Sequence, residues 1–567
     1  MRKYLANSFF IRTFAAKIDR EVKRLLLFLI VMWCMMPMHA QPKHEVRAVW
    51  LTTIGGIDWP RTYAHDGMGI SMQKDEFCRM LDRLKAINVN TVLLQTRIRA
   101  TTIYPSSIEP WDGCLSGKPG KSPGYDALQF AIDECHRRGM ELHAWVVTIP
   151  VGKWNTYGCQ QLRKRYGSLI KHIGEEGYMN PESPITADYI ADICEEITRR
   201  YDVDGIHLDY IRYPETWRGP KSQENITRIV RRIHQKVKSL KKWVKLSCSP
   251  IGKYDDLSRY SSKGWNARRQ VAQDAQGWLG EGLMDQLYPM MYFQGNNFYP
   301  FAIDWQEHSY GRTLVSGLGI YMLHPHERNW PLSEVMRQMN VTRSIGMGHC
   351  YFRAKFLLDN VKGVYNYIQS TDNHPALIPP MTWAQPQSPL APRYLEVKHT
   401  AQGDMLYWGG ATDRSDGTYL LYNIYASTEE PVDISNPANL LATRYQRQQL
   451  SLPRKEGRRP LHYAVTALDR YGNESTARQD NAGTKPYAEN PSSYLLANDG
   501  KTLLLPTSAT TDAEFLSVCT MQGNIIHTCH NRSHIDIRML DNGMYELRSL
   551  NKKGIMHRMG FFIIKRK

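Results

Sequence analysis

The segment Val203–Pro214, VDGIHLDYIRYP, sets an imidazole and a carboxylate inside an otherwise apolar, β-branched run. Strand period sorts it: Ile206, Leu208 and Tyr210 share one face, His207 and Asp209 the other. An ionised carboxylate on an inward strand face is costly without a partner, so Asp209 is read as a functional acid serving as nucleophile or base. Arg97, His207 and Arg212 are available to hold it ionised. The same sorting groups Gln95 with Arg97, and His143 with Trp145. It leaves Tyr292 at a strand end and puts His349, Tyr351 and Arg353 on one face of a later strand. Taken singly, His143 and His207 each read first as hydrogen-bonded core histidines and second as site residues, and Arg97 can be the counter-ion of a buried acid.

Such residues need a scaffold that brings distant strands together. From residue 46 to about 360 short β-branched or aromatic runs alternate with helical patterns. VRAVWLTT (46–53) comes first, then TVLLQTR, ELHAWVV, VDGIHLDYI, VKLSCSP, DQLYPMMYF, TLVSGLGIY and GHCYFRA. Helical spacing marks 75–88, 125–139 and 186–201 between them. Eight strand–helix units predict a (β/α)8 (TIM) barrel, whose active site gathers at the C-terminal ends of the strands. No GxGxxG follows the first strand, which argues against nucleotide binding.

In this order, VRAVWLTT, NTVLLQTRIRATTIYPS, LHAWV, VDGIHLDYIRYP, LSCSPIG and GLMDQLYPMMYF resemble the glycosyl-hydrolase-like family 10 barrels, the DUF187 group of bacterial envelope proteins. The resemblance covers about residues 44 to 360. It implies a (β/α)8 barrel, glycoside hydrolysis and, for some relatives, action on peptidoglycan glycan strands. Relatives often carry two successive acids where this chain has Asp209 and then Tyr210, so the second carboxylate must come from elsewhere.

Glycoside hydrolysis usually uses two carboxyl groups across the scissile bond. Asp274, at the start of the helix after strand five, leads as the partner, with Glu215 in the loop after strand four as second choice. Asp274 reads equally as a first-turn acid favoured by the helix dipole, and Asp285 as structural. The expected substrate-binding residues are Trp50, Arg97, His143, Trp145, His207, Arg212, Tyr292 and Tyr351. Trp59 and Trp305 are further flat surfaces for sugar packing. No cofactor or metal is expected, since His324, His326 and Glu327 are too short a set to argue a metal; calcium held by loop carboxylates stays open.

Residues 41–380 are thus assigned to the barrel. The proline-rich PPMTWAQPQSPLAPR (379–393) marks a boundary, and 381–485 alternate at strand period as in a β-sandwich. That stretch resembles a fibronectin type III module. The β-rich 486–567, with Gly543-Met544-Tyr545 opening a strand, resembles the C-terminal sorting domain of type IX secretion. The expected fold class is therefore a (β/α)8 barrel followed by two C-terminal β-sandwich modules.

Residues 1–40, with LLLFLIVMWCMMPMHA behind Lys23-Arg24, read as a signal peptide, an uncleaved anchor being the alternative. Removing the +5 of residues 1–24 from the formal +17 leaves +12. That charge is scattered and accompanied by no nucleic-acid motif, so nucleic acid is not the expected partner. Export machinery, a polysaccharide or peptidoglycan substrate, a monomeric state and an envelope or extracellular location are. Nine dispersed cysteines remain after Cys34, with Cys519 to Cys529 as one conceivable bridge. The competing reading is a glycan-binding envelope protein without catalysis. Cleavage that leaves an anhydro sugar, needing one acid/base, is a third.

Overall fold

The computed structural model describes residues 41–260, 264–400, 403–453, 461–480, 501–505, 513–520, 525–530, 534–551 and 556–564. The segment read as a signal peptide lies outside them.

Eight parallel strands close a barrel: β1 (Arg47–Leu51), β2 (Thr91–Arg97), β3 (Glu141–Val147), β4 (Gly205–Asp209), β5 (Lys245–Cys248), β6 (Gln286–Leu287), β7 (Thr313–Leu318) and β8 (Gly348–Tyr351). Each pairs with the next, and β8 returns to β1 through Arg47 opposite His349. All eight lie where the sequence places them. β6 is the shortest because Pro289, two residues past its end, has no N–H to donate to the ladder. Tyr292 consequently lies in a loop.

Helices α1 (Gly67–Ala86), α2 (Ala127–Arg137), α3 (Pro184–Arg200) and α4 (Gln223–Leu240) cover one side of the barrel. On α4 the buried Ile226, Ile229, Val230, Ile233 and Val237 form the stripe that packs on the strands. α1 starts eight residues before the expected Asp75, because Asp66 caps it by accepting the Gly69 N–H at 2.8 Å. Its first two turns bury Gly69 and Gln73 and leave Met68 and Met72 exposed, so no apolar stripe at helical spacing reveals them. Between β3 and α3 the chain inserts a three-stranded antiparallel sheet, with Pro150–Lys153 and Ile170–Ile173 flanking Glu176–Met179.

Beyond the barrel, seven antiparallel strands form sheets of three and four. The first joins Tyr394–His399, Gly403–Gly409 and Gln449–Pro453; the second joins Leu440–Tyr445, Leu421–Ser427, His462–Leu468 and Arg478–Gln479. Leu406 and Trp408 of one meet Tyr422, Ile424, Tyr463 and Val465 of the other in a shared core. A third unit has a four-stranded antiparallel sheet, from Ile525–His530 through Ala513–Thr520 and Gly543–Asn551 to Met556–Ile564, beside a two-stranded one. The expected bridge is corrected here: Cys519 is a free thiol opposite Ile525, whereas Cys529 stands opposite Leu516. Among the described residues, no helix is long and apolar enough to cross a membrane.

The seven-stranded unit is bolted to the base of the barrel by buried charge. Tyr445 pairs with Tyr422 and Ala442 with Ile424, so Thr443 and Arg444 together face Asn423. This bulge puts Arg444 in the left-handed region at φ 52° and gives its N–H to the Asn423 side chain at 3.1 Å. The Arg444 side chain enters the barrel base, where it meets Glu141 at 2.9 Å and Asp204 at 2.5 Å. Lys245 reaches Glu141 at 2.7 Å, and His136 and Arg470 reach Asp204 at 2.8 and 3.4 Å. Burial alone would raise the Glu141 carboxyl, but Lys245 and Arg444 overcome it and bring it down to about 2. Asp204 is likewise held well below the usual carboxylate range, with burial opposed by Arg444 and His136.

Candidate active site

Inside the barrel the side chains stack in layers. At the base, His143 lies against Gly205, where an added Cβ would come within 2.7 Å of the imidazole; only glycine fits. His143 Nε2 is 3.0 Å from Glu141. It therefore belongs to the buried ionic base and is withdrawn as a substrate contact.

The next layer is Trp50, His207, Ser247 and Tyr288. The Trp50 indole N–H can only donate, and His207 Nε2 receives it at 3.2 Å. The His207 proton is thereby placed on Nδ1, 3.0 Å from the Ser247 hydroxyl. Burial, with a smaller contribution from His143, lowers the imidazole pKa well below its ordinary value, so His207 is a neutral spacer. Trp50 is 2% exposed and also packs against the backbone at Gly317. Both residues form the floor of the site and are corrected from substrate-binding to supporting roles.

Asp209 occupies the top layer, at the C-terminal end of β4. Its Oδ2 accepts the Trp145 indole N–H at 3.2 Å, and Oδ1 accepts the Ser249 hydroxyl at 2.9 Å and the Tyr210 N–H at 2.8 Å. Its backbone carbonyl is held by the Thr148 N–H at 2.9 Å and hydroxyl at 2.8 Å. Burial raises the Asp209 carboxyl above its ordinary value, against the pull of Arg212, Ser249, Tyr210 and Trp145. Tyr210 leaves the strand at φ 53° and is 39% exposed, so it does not face the helices as the alternation predicts. Its ring lies under the Arg212 guanidinium, 4.1 Å from the ring centre.

Arg212 acts on Asp209 through its charge and is hydrogen-bonded to Glu215. It is 4% exposed and donates to Glu215 at 3.0 Å, while its Nε and Nη1 are buried without a hydrogen-bond partner. The Tyr292 hydroxyl is also buried and unpartnered, on a ring 5.5 Å from Phe352 and 5.7 Å from Tyr321. Burial raises its pKa, and Asp209 and Tyr210 are among the charges it feels. The structure thus brings together Asp209, Arg212, Glu215, Trp145 and Tyr292 of the predicted set.

It does not bring in the others. Asp274 accepts from the Tyr254 hydroxyl and precedes the short helix Ala275–Gly280. Of the two acids expected to partner Asp209, Glu215 is the one that shares Arg212 with it. Arg97 is fully buried, pairs with Glu109 at 2.7 Å and donates to the Thr148 carbonyl at 2.9 Å. The cause is a bulge: Gln95 pairs with Trp145 but Arg97 with Val146, which turns Arg97 out of the barrel. Tyr351 and His349 also point outward, His349 to Glu45 at 3.3 Å and Tyr351 into the helix layer. On β8 it is Cys350 and Phe352 that face inward with Trp50. Trp59 and Trp305 are core, their indole N–H groups spent on the Gln73 and Gly252 carbonyls.

The inserted sheet supplies what the sequence reading missed. Tyr210 feels Arg99 as well as Glu215, and Tyr178 feels Glu176, Glu215 and Arg99, with Arg99 3.6 Å from Glu176. The alternation of Glu176-Gly-Tyr178 was a signal for a strand, but nothing local shows that the strand folds over the barrel mouth.

The model of the family described as Glycosyl hydrolase-like 10 matches residues 45–224 and 214–318, a span that holds β1 to β7. The chain is 27% identical over 492 residues to "Glycosyl hydrolase YngK" of Bacillus subtilis (strain 168), covering 77% of this chain and 93% of that protein. It is 28% identical over 296 residues to "Glycosyl hydrolase DigH" of Escherichia coli (strain K12), covering 45% of this chain and 66% of that protein. Among solved structures, the endo-beta-1,4-mannanase from Thermotoga petrophila aligns with a TM-score of 0.41 at 9% identity, over 77% of this chain and 97% of that one.

Proposed function

We propose that this chain is an exported glycoside hydrolase of the glycosyl hydrolase-like type, acting on a polysaccharide such as peptidoglycan glycan strands. The observation that carries the reading is Asp209, a buried carboxyl at the C-terminal end of β4 whose pKa is raised by burial. A raised carboxyl suits the acid that protonates the leaving glycosidic oxygen better than the nucleophile or base assigned from sequence. Trp145 occupies one direction on Oδ2 and leaves the other for the proton.

Glu215, reached through Arg212, is the second carboxylate: it takes the anomeric carbon or activates the water that does. The unpartnered Nε and Nη1 of Arg212 and the Tyr292 hydroxyl supply donors for sugar oxygens, and the exposed Tyr210 ring a face for a pyranose. The seven strands in sheets of three and four support the fibronectin type III-like reading of residues 381–485.

Release of soluble saccharide from peptidoglycan glycan strands and from a panel of β-linked polysaccharides tests the reading. Asp209→Asn should lower the rate by about 100-fold or more. Undiminished hydrolysis by Asp209→Asn sinks the assignment. Glycan binding by the wild-type chain with no product from any substrate favours the non-catalytic binder instead.

A further inference from the structure

We propose that Glu430, His462 and Asp480 form a binding site for one first-row divalent cation, for which Zn2+ is the matching ion. These residues lie in the seven-stranded unit, remote in sequence from the barrel mouth. Glu430 follows the strand Leu421–Ser427, His462 opens His462–Leu468, and Asp480 follows Arg478–Gln479. The three strands are neighbours in one sheet, and Ser427 stands opposite His462. Sheet pairing therefore gathers the three side chains at one end of that sheet.

Their ligand atoms lie within 4.8 Å of one another. His462 Nδ1 is 3.7 Å from Glu430 Oε2 and 3.8 Å from Asp480 Oδ1, too far for a hydrogen bond. Ligands at zinc bond lengths of about 2.0–2.2 Å, spread at a tetrahedral angle, stand roughly 3.3–3.6 Å apart. The two pairs that involve His462 therefore need a contraction of only a few tenths of an ångström, and the two carboxylates, within 4.8 Å of each other, close on the ion from either side of it.

The polar bookkeeping points the same way. Asp480 is 5% exposed, and its Oδ2 is taken by the Tyr463 N–H at 2.8 Å. Its Oδ1 is buried with no hydrogen-bond partner, and so is His462 Nδ1, the atom it faces. A buried carboxylate oxygen and an imidazole nitrogen held at this separation are each costly unless something bridges them. Two carboxylates and one neutral imidazole give charge −2 and mixed O and N donors, a set that suits a divalent ion tolerant of imidazole. Glu430, half-exposed, leaves a side open for a water as the fourth ligand.

A second cluster makes the contrast. In Asp304, Glu307 and His308 the donors are already committed: Asp304 Oδ2 to Gln276 at 2.9 Å, Glu307 to both ends of the Arg259 fork, and His308 Nδ1 to the Asp304 carbonyl at 2.8 Å.

The test uses the full chain, stripped with EDTA, dialysed, and titrated with ZnCl2. Bound metal is read by mass spectrometry and calorimetry, and the thermal midpoint is read with and without zinc. One Zn2+ per chain is expected, with a higher thermal midpoint when zinc is present. His462→Gln and Glu430→Gln should each weaken binding at least tenfold, and Glu307→Gln/His308→Gln should leave it unchanged. Circular dichroism of Glu430→Gln, a change at a half-exposed position, shows that the fold is kept. No retained zinc, equal affinity in the wild type and in His462→Gln and Glu430→Gln, or loss only in the Glu307/His308 variant overturns the proposal.

Discussion

Arg444→Met removes the cation shared by Glu141 and Asp204 while keeping the length and packing of the side chain. Removing one member of a buried ion pair costs about 3–5 kcal/mol when the other charge is left uncompensated. Here Glu141 retains Lys245 at 2.7 Å, and Asp204 retains His136 at 2.8 Å and Arg470 at 3.4 Å. These partners pull the expected loss to the lower end, about 3 kcal/mol. Urea denaturation at pH 7, followed by tryptophan fluorescence and far-ultraviolet circular dichroism, should show a midpoint lower by roughly 0.5–1 M, since m for a chain of this size is at or above about 3 kcal/mol/M. Arg447→Met, three residues on and exposed, is the control, expected to change stability by less than about 0.5 kcal/mol. If Arg444→Met unfolds with the midpoint of Arg447→Met, the charged base does not join the two units energetically.

The same network sets the acid limit. Glu141 has its folded pKa depressed to about 2, so its contribution is present above the unfolded value of about 4.5 and is lost as pH falls toward 2; acid titration of the circular dichroism signal should show unfolding in that window. Asp209 has the opposite sign: its folded pKa is raised, so the ionised carboxylate costs stability at neutral pH. Asp209→Asn should leave the thermal midpoint at pH 7 equal or higher while activity falls, and a drop of several degrees contradicts this. Glu109→Ala strands Arg97 in the interior and should cost about 3–5 kcal/mol, read by the same urea titration.

The barrel was legible because its eight strands are apolar runs at the right spacing, and neither β-branched content nor period depends on distant residues. Site residues on strands were legible only where period two holds without interruption. It holds in β4, and Asp209 is where the alternation puts it. It fails in β2, where one bulge between Gln95 and Arg97 reverses the side chain, and a bulge has no signature in TVLLQTR. On β8 the alternation is intact but its phase was read wrongly. Outward His349 and Tyr351 look more functional than inward Cys350 and Phe352, yet outside the barrel His349 meets polar partners in Glu45, just before β1, and Thr342 of the helix Leu332–Ser344. Asp274 failed for another reason: position near a helix start fixes height along the barrel, not which way the loop turns. Glu430, His462 and Asp480 escaped because sheet pairing, rather than local spacing, assembles them.

Arg444 also orders events in time. The chain is made from its N-terminus, so all eight barrel strands are complete before the bulge that carries Arg444 exists. Until then Glu141 has Lys245 alone, and Asp204 has His136 without either arginine. The nascent barrel is therefore a weaker fold than the finished one, and it is consolidated by a segment that arrives last. A chain cut between residues 380 and 394 should behave as a loosely folded intermediate, although every strand of its barrel is present.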